Sequence, residues 1–403
     1  MRLAVFLLFV IVSCPAWAAG DEDGATIYRD HCAQCHESGV ARAPSIAALK
    51  QMLPDRIGTA LVLGSMSTQG RDLTGAQLKS VVRFLAGAPA APEPLLTDAR
   101  CRETSPIPED AATEPHWNGW GVDLTQHRFQ PAVMAKLSAE DVRRLKLKWA
   151  FGFPGETSAS AQPTVFGGRL FVGSGSGKVY ALDAKTGCIR WVFDADLRVR
   201  TAITIGQSQQ GWTAFLGNVR ADAFAIDAET GTLRWKTYVA EHPAATVRGA
   251  PALAGNVLYV PTSSAEEVLA ADPRYPCCTF RGGITALDAA TGKLLWRSYA
   301  IAAAPEPVRK SAAGTQLWGP SGAGIWSSPT VDLKLQMVYA ATGDSYSDPA
   351  GDASDAFVAF RMATGERTWV RQMTAGDAFT VGCELPTPWC MCGRPFGCKR
   401  RNE

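Results

Sequence analysis

Two cysteines and a histidine stand close together near the N-terminus. Cys32, Cys35 and His36 form a Cys-x-x-Cys-His run. In such a run two thioether bonds hold a porphyrin and the histidine binds its iron. A zinc site or a dithiol redox site is the alternative, but no second cysteine pair lies nearby to complete a zinc site. The run therefore predicts a c-type haem, which carries one electron at a time.

The second axial ligand of such an iron is expected further along the chain, and methionine sulfur is typical of electron carriers. Met66 lies in a loop of glycine and serine residues, ahead of an amphipathic stretch, Leu78–Leu85, that predicts a helix. Met52 is the competing methionine, but the proline two residues after it is typical of a helix end. We therefore predict His36 and Met66 as the iron ligands of a small all-α domain over residues 20–88.

Cys277 and Cys278 are neighbours in the sequence. A disulfide between neighbours closes a small, strained ring and encloses no loop, so it stabilises a fold very little. Two separate buried thiols are the alternative interpretation. Two adjacent carboxylates, Glu266 and Glu267, come shortly before them, after an apolar run at Val257–Val260 that predicts a strand. The surrounding repeats explain neither pair, so we expect function here.

The elements that must position these side chains are repeats. The segment Ala286–Trp296 recurs with variation at Ala181–Trp191, Ala225–Trp235 and Ala359–Trp369. Each copy contains a Thr-Gly turn, in which glycine supplies a positive φ, and follows a short apolar run typical of strands. Several short strands per repeat with a fixed tryptophan predict the blades of a β-propeller. Long insertions separate the later tryptophans, and insertions in repeat folds commonly lie on the binding face.

The N-terminus has the composition of a secretory signal over residues 1–18. Arg2 precedes the apolar run Leu3–Val12, and Ala16-Trp17-Ala18 forms a small-x-small cleavage site. Cys14 offers a lipoprotein signal as the alternative. The apolar run is too short to span a bilayer. We therefore expect an exported, periplasmic protein without a membrane span.

Composition sets broad limits on the rest of the chain. The 403 residues allow two or three domains, and 46% apolar content is enough for buried cores. A formal charge of +2 gives no argument for nucleic acid as a partner. After export the eleven cysteines would lie in an oxidising compartment, where disulfides form and persist.

A Pro- and Ala-rich stretch over residues 89–115 predicts a semi-rigid linker between two domains. Cys101 lies in this linker, and we expect it to form a disulfide with a propeller cysteine. Cys188 is one candidate, although spacing alone leaves the pairing open, including that of Cys383. The propeller is predicted over residues 116–386, with Leu145–Phe151 as its first strand.

The last residues, 387–403, break the pattern. They are basic, contain three cysteines and show neither a blade turn nor an apolar strand. A zinc knuckle is the alternative, but a fourth ligand is missing. We expect a truncated or frame-shifted product with a foreign tail.

Several of these motifs together resemble the pyrroloquinoline quinone (PQQ) alcohol dehydrogenases. The resemblance is carried by the blade repeats, the adjacent cysteines, and the segments Trp318-Gly319-Pro320 and Ile325–Pro329. With a haem motif ahead of Trp117–Gly121, the chain is most similar to the cytochrome-type polyvinyl-alcohol dehydrogenases, over roughly residues 25–386. The implied fold is an all-β propeller, eight-bladed in the family and represented by about four blades here, after a small cytochrome c domain.

The resemblance also implies a place for the quinone. In the family a ring formed by adjacent cysteines lies against one face of PQQ, and Cys277 and Cys278 match it. Trp326 matches the tryptophan that stacks on the other face; a plain core residue is the alternative. Arg248 and Arg281 are candidates to face the carboxylates of the cofactor, because arginine binds carboxylates well.

Calcium and a catalytic base complete the implied site. Glu266 matches the carboxylate that binds calcium in the family, with Glu267 as the alternative. Asp344 stands where the family has an asparagine ligand, and the extra charge would lower the Lewis acidity of the metal. Asp377 matches the aspartate that takes the proton of the alcohol.

The implied function is oxidation of polyvinyl alcohol or a similar secondary alcohol by PQQ. Electrons would then pass to haem c and on to an external cytochrome or another acceptor. A non-catalytic propeller with a haem electron-carrier domain is one alternative, and a small-alcohol dehydrogenase is another. Four blades of eight leave unsatisfied sheet edges. We therefore expect little or no alcohol oxidation by these 403 residues alone.

Overall fold

The computed structural model describes residues 23–380, apart from 39–42, 53, 63–65, 87–98, 104, 155, 157–158, 209, 271–273 and 312–313. The predicted signal segment, the basic tail and Cys383 lie outside the described residues. Within the described part of the chain, no helix has both the length and the apolar character needed to cross a bilayer.

The N-terminal region is helical. Its helices are α1 (Gly24–His31), α2 (Ala33–His36), α3 (Ile46–Leu49), α4 (Pro54–Val62), α5 (Ser67–Gly70) and α6 (Gly75–Ala86). Helix α6 includes the predicted Leu78–Leu85 stretch and buries Leu78, Val81 and Leu85. Helix α1 packs directly on α6, since a Cβ at Gly24 would lie 2.1 Å from the Ser80 carbonyl oxygen. This close crossing forms the core of the predicted haem domain.

Two short helices, α7 (Ala132–Ala135) and α8 (Ala139–Val142), lead into the sheets. The predicted first strand, Leu145–Phe151, is not a strand in the structure. Its side chains at Leu145 and Leu147 are exposed, and no strand among the described residues pairs with it. An apolar stretch without a ladder partner has no hydrogen bonds to make it a strand.

The remaining described residues form short antiparallel strands. They are β1 (Thr164–Phe166), β2 (Arg169–Gly173), β3 (Lys178–Asp183), β4 (Ile189–Asp194), β5 (Thr204–Ser208), β6 (Gly211–Gly217), β7 (Asp222–Asp227), β8 (Leu233–Tyr238), β9 (Ala245–Thr246), β10 (Ala252–Ala254), β11 (Val257–Ser264), β12 (Gly283–Asp288), β13 (Leu294–Tyr299), β14 (Glu306–Lys310), β15 (Gln316–Gly319), β16 (Thr330–Asp332), β17 (Met337–Ala341), β18 (Ala356–Arg361) and β19 (Arg367–Gln372). A further short helix, α9 (Glu266–Leu269), follows β11.

These strands form four meandering blades. Their orders are β1-β2-β3-β4, β5-β6-β7-β8, β10-β11-β12-β13 and β16-β17-β18-β19, with β9 beside β11 and a separate β14-β15 hairpin. The prediction of a propeller with about four blades is therefore confirmed. The two long insertions of the sequence contain α9, the adjacent cysteines and the β14-β15 hairpin.

The repeated Thr-Gly-x-x-x-Trp pattern has a physical role between blades. The Trp191 indole N–H, on β4, donates to the carbonyl of Ala228 in the turn of the next blade. Gly231 of that turn lies against the indole ring, where a Cβ would come within 2.8 Å. The same contact recurs at three other tryptophans. They are Trp149, Trp235 and Trp296, paired with Gly187, Gly292 and Gly365.

We expect Gly231→Ala to destabilise the protein more than Gly168→Ala. Both glycines have positive φ, +76° and +71°, so alanine strains the backbone at either by about 1 kcal/mol. Only Gly231 faces a ring, whereas no atom lies within 4 Å of a Cβ at Gly168. The additional loss for Gly231→Ala should reach about 1–3 kcal/mol. Urea unfolding of both variants measures it, and equal losses would show that the blade contact contributes nothing.

A disulfide ties the linker to the first blade. Cys101 bonds to Cys188, with the two Cα atoms 5.1 Å apart. This confirms Cys188 as the partner of Cys101. Backbone hydrogen bonds from Ile189 to Ala99 and from Cys101 to Ile189 extend the contact, so the end of the linker runs along β4.

Candidate haem and quinone sites

The histidine of the Cys-x-x-Cys-His run is already oriented. His36 Nδ1 lies 2.7 Å from the carbonyl oxygen of Pro44. Because a carbonyl only accepts, Nδ1 carries the proton, and Nε2 keeps its lone pair for a metal. A hydrogen bond of this kind fixes the tautomer and the ring plane of metal-binding histidines. The imidazole therefore fits the role of an iron ligand.

The other predicted haem residues lie around the same helices. Cys32 and Cys35 are not bonded to each other, and Cys35 is exposed. Cys32 and Met66 both pack against the core that includes Ile27 and Leu61. Met52 packs against this core as well, so packing alone does not separate the two methionines. The residues present fit a covalent haem.

Trp326 is the aromatic residue at the centre of the predicted quinone site. Its indole is 41% exposed, although the preceding residue, Ile325, is fully buried. Gly324 and Gly343 pack against the indole nitrogen, where a Cβ would come within 3.3 and 3.2 Å. A planar ligand could stack on an indole that is held along one edge and is partly exposed to solvent.

Arg248 lies beside this tryptophan. Its guanidinium carbon is 5.3 Å from the centre of the Trp326 ring. Its Nε donates to the Thr246 hydroxyl, which is 2.9 Å from the Ser263 hydroxyl. Burial lowers the pKa of Arg248, and the nearby Arg200 and Arg198 lower it further, whereas Glu267 opposes the shift. This concentration of positive charge suits a ligand that carries carboxylates.

Carboxyl groups from three parts of the chain converge near the same place. Burial raises the pKa of Asp344 to about 7, and repulsion from Glu267, Asp355 and Asp377 adds to the rise. Burial also raises the pKa of Glu267, which Arg248 opposes. Asp344 Oδ2 is buried and has no hydrogen-bond partner among the residues that the structure describes. A buried, unpartnered carboxylate among like charges is the environment that a hard cation would stabilise.

We expect Asp344→Asn to stabilise the calcium-free protein at pH 8. The carboxyl has a pKa of about 7 in the fold against its usual value of 3.8. The folded chain thus holds a proton that the unfolded chain releases, and folding stability falls as pH rises through this window. The gain from asparagine should be up to about 4 kcal/mol at pH 8 and should vanish towards pH 4. Thermal unfolding against pH measures it; a constant gain at all pH values would contradict a charge effect.

Glu266 and Glu267 lie side by side on α9 but face different surroundings. The Glu266 carboxylate is fully buried and accepts hydrogen bonds from the backbone N–H groups of Thr279 and Phe280. It also accepts from the Tyr275 hydroxyl, and His242 Nε2 lies 3.3 Å away. Both oxygens of Glu266 are therefore used within the protein. The geometry favours Glu267, the alternative, as the carboxylate that faces Asp344.

The adjacent cysteines form the predicted disulfide in the structure. Cys278 is fully buried, and the segment pairs with Trp318, whose N–H donates to the Cys277 carbonyl. Cys277 Sγ lies 3.9 Å from the carbonyl oxygen of Tyr346, two residues after Asp344. The disulfide thus lies next to the strand end that presents Asp344.

The structure does not bring Arg281 to this group of side chains. Its guanidinium donates to the carbonyls of Ala302 and Ala303 and lies 3.9 Å from the centre of the Tyr299 ring. The role of Arg281 towards the cofactor stays a prediction, and these contacts do not support it. Arg281 follows Phe280, which is buried, and its side chain contacts the end of β13 and the residues directly after it.

Two residues of the site, Asp355 and Tyr346, belong to no motif and could not be predicted from the sequence. Asp355 has a positive φ of 47° and donates its N–H to the Gly343 carbonyl. Its Oδ2 is buried and finds no partner in the described part of the chain. Tyr346 is buried, and its pKa is raised by burial and by Glu267 and Asp344. Within the described residues, no three Asp, Glu, His or Cys side chains are grouped closely enough to hold a metal ion. Further oxygen atoms, from backbone carbonyls, water or a cofactor, would have to complete a calcium site.

Comparison with protein families divides the chain at the linker. Residues 117–384 match the model of the PQQ glucose/ethanol/alcohol dehydrogenase β-propeller domain. Residues 19–85 match the model described as cytochrome c oxidase, cbb3-type, subunit III. The two matches cover the region of the converging carboxylates and the region of the Cys-x-x-Cys-His run.

Curated relatives resemble both regions at once. The chain is 38% identical to a polyvinylalcohol dehydrogenase of a Pseudomonas species over 400 residues, which is 94% of this chain and 62% of the relative. It is also 38% identical to a polyvinylalcohol dehydrogenase of Sphingopyxis strain 113P3, over 93% of this chain and 60% of the relative. The chain thus spans about six tenths of the length of these relatives.

Among solved structures, the quinohemoprotein alcohol dehydrogenase of Comamonas testosteroni has a similar fold. The TM-score is 0.53 at 23% identity, over 70% of this chain and 44% of that one. This likeness supports the propeller architecture. Because the propeller model covers more than half of the residues, the chain belongs to the PQQ-dependent glucose, ethanol and alcohol dehydrogenase β-propeller family.

Proposed function

We propose that this protein oxidises a secondary alcohol through bound PQQ and passes the electrons to a covalent haem c. The observation that carries the proposal is the grouping of four residues in a propeller of the PQQ family. Trp326 lies against Arg248 and Gly343, and the charge of Glu267 acts on both Arg248 and Asp344. The haem motif and the cytochrome match at the N-terminus support the second half. An external cytochrome or another acceptor in the periplasm would take the electrons onward.

The haem would be held by Cys32 and Cys35 through thioethers and by His36 and Met66 through the iron. When bound, haem supplies a one-electron carrier. The chain keeps the His36 imidazole in one tautomer through Pro44.

The quinone would lie on the open surface of Trp326, with the ring of Cys277 and Cys278 towards its other face. PQQ supplies a two-electron acceptor when bound, and calcium polarises it. Glu267 and Asp344 would provide carboxylate oxygens to the metal, and Arg248 would neutralise carboxylates of the cofactor. The unpartnered Asp344 Oδ2 is the clearest sign that an atom of a ligand belongs here.

Asp377 is the proposed base that takes the proton of the alcohol hydroxyl. It is partly exposed, follows the fourth blade, and lies close enough to Asp344 and Asp355 to raise their pKa values. The neighbouring Ala378 pairs with Ser345, next to Asp344. A partly exposed carboxylate beside the metal carboxylates can reach both solvent and a bound alcohol.

The substrate class rests on the relatives. Both polyvinylalcohol dehydrogenases align with more than nine tenths of this chain, including the haem motif region and the propeller. We therefore propose a secondary alcohol of the polyvinyl type. A smaller alcohol remains the second candidate, since relatives named quinohemoprotein alcohol dehydrogenase match at 28% identity.

The experiment that tests this function is reduction of the haem by an alcohol in a single turnover. Protein matured with covalent haem is supplied with PQQ and calcium, and the haem absorbance is followed after polyvinyl alcohol or 2-butanol is added. Single turnover is chosen because it follows the electrons from the alcohol to the haem without any external acceptor. A non-catalytic electron carrier would show no alcohol-dependent reduction under any of these conditions.

A further inference from the structure

Arg220 of the propeller reaches into the haem domain. It lies in the turn between β6 and β7, and its Nη2 donates to the carbonyl of Arg71 at 2.7 Å. Its Nη1 donates to the carbonyl of Leu73 at 3.0 Å. One planar guanidinium therefore binds two carbonyls of the same short segment. Arginine suits such a double contact because its donors are fixed in one plane.

The turn that carries Arg220 is held rigidly. Asn218 is fully buried, and its Oδ1 accepts from the backbone N–H groups of Arg220 and Asp222. Its Nδ2 donates to the carbonyl of Ala195 and to the Asp222 carboxylate. These contacts fix the backbone from which the arginine extends. The Arg220 side chain therefore extends from a rigid stretch of backbone.

Arg220 binds a segment that begins at Met66 and ends at Leu73. Gly70 donates its N–H to the Met66 carbonyl at 2.9 Å, and Leu73 donates to the Gly70 carbonyl at 3.3 Å. Leu73 is 2% exposed within the core of the haem domain. Met66 itself donates to the Ala60 carbonyl at the end of α4. Residues 66–73 thus form a connected unit with the methionine at one end and the Arg220 contacts at the other.

The same side of the haem domain faces α9. A cavity of about 40 Å³ lies between the domains, lined by Leu61, Val62 and Arg71 on one side and by Ala265 and Leu269 on the other. Ala265 and Leu269 flank the two glutamates of α9, Glu266 and Glu267. The Met66 side of the haem domain therefore faces, across this cavity, the element that carries the proposed calcium ligand.

A second contact between the domains is independent of this segment. Lys79, on α6, pairs with Asp194 of the first blade, which also accepts from Lys178 at 3.1 Å. Leu197 packs against the haem-domain core nearby. Lys79 lies outside residues 66–73, so it reports on docking of the domains without touching the methionine segment.

We propose that Arg220 is a positioning residue for the axial methionine: the propeller holds residues 66–73 in place and thereby keeps Met66 on the iron. This rests on the haem half of the proposed function and is independent of PQQ. Loss of the two carbonyl contacts would free the segment to swing away. The iron would then be open to outside ligands more often.

Binding of cyanide to the oxidised haem tests the proposal, because cyanide binds only after methionine leaves. We expect Arg220→Gln to speed cyanide binding about tenfold, since it removes two charged hydrogen bonds. Lys79→Gln is the matched control and should change the rate less than about twofold, as surface ion pairs contribute little. Arg220→Lys, which keeps the charge but not the planar fork, should lie between wild type and Arg220→Gln.

The outcomes separate clearly. Wild-type rates in Arg220→Gln would overturn the proposal, and so would equal acceleration by Lys79→Gln, which would show a general effect of docking. If Arg220→Gln does not mature, Arg220→Lys decides: an unchanged rate there overturns the proposal. Failure of the haem assignment looks different, because then wild type itself would lack covalent haem or the far-red absorbance band of methionine-bound ferric iron.

Discussion

Glu267→Gln is expected to raise the calcium concentration needed for PQQ binding by about a hundredfold, whereas Glu266→Gln should raise it less than about tenfold. The reason is the different use of two adjacent carboxylates. Glu267 lies near Asp344 and Arg248. Both oxygens of Glu266 instead accept hydrogen bonds, from Thr279, Phe280 and Tyr275. Equilibrium dialysis of PQQ over a calcium series measures both variants.

A separate readout identifies what Glu266 does. The Glu266 carboxylate oxygens accept hydrogen bonds from the backbone directly after Cys278. We therefore expect a thiol to reduce the disulfide of Cys277 and Cys278 about tenfold faster in Glu266→Gln. Alkylation and mass measurement follow this without any cofactor, and Glu267→Gln serves as the control. A calcium effect as large for Glu266→Gln as for Glu267→Gln would restore Glu266 as the ligand.

The double variant Cys32→Ala, Cys35→Ala is expected to contain no covalent haem at all. Both thioether bonds disappear, so any haem that binds through His36 should be removed by acid–acetone extraction. Absorbance of the extracted protein, expressed in a host that matures c-type cytochromes, measures the retained haem. Haem that resists extraction from the double variant would contradict the assignment.

Single methionine variants then identify the second iron ligand. Met66→Ala should keep covalent haem but lower the reduction potential, because a thioether ligand raises it. Met52→Ala is the control, since Met52 packs against the same core. Spectroelectrochemical titration distinguishes them. A downward shift in Met52→Ala alone would make Met52 the ligand.

The blades were predictable because their signal is local and repeated. A Thr-Gly turn with positive φ can be recognised in a sequence, and the same turn recurs at Gly187, Gly231, Gly292 and Gly365. The contact that explains the tryptophan could not be predicted from one repeat. Trp191 binds the turn of the following blade, at Ala228, so its role appears only when neighbouring blades are assembled.

The choice between Glu266 and Glu267 shows where spacing stops being informative. Both follow the same strand, and on α9 one residue of difference turns the side-chain direction by about 100°. The outcome depends on residues 279–280, which return to Glu266 after the insertion and supply its hydrogen-bond donors. Asp355 was missed for a similar reason, since it reaches Gly343 only through the pairing of β17 with β18.

The proposed function requires electrons from an alcohol to enter this chain through PQQ and to reach its haem. The most direct measurement is stopped-flow absorbance of the oxidised haem after a secondary alcohol is mixed with protein that holds PQQ and calcium. We expect haem reduction that requires PQQ, calcium and alcohol together. Deuterium at the carbinol carbon should slow it, and Asp377→Asn should lower its rate by about 10²–10⁴. Haem that stays oxidised with all three present, or that alcohol reduces equally well without PQQ, would contradict the proposed function.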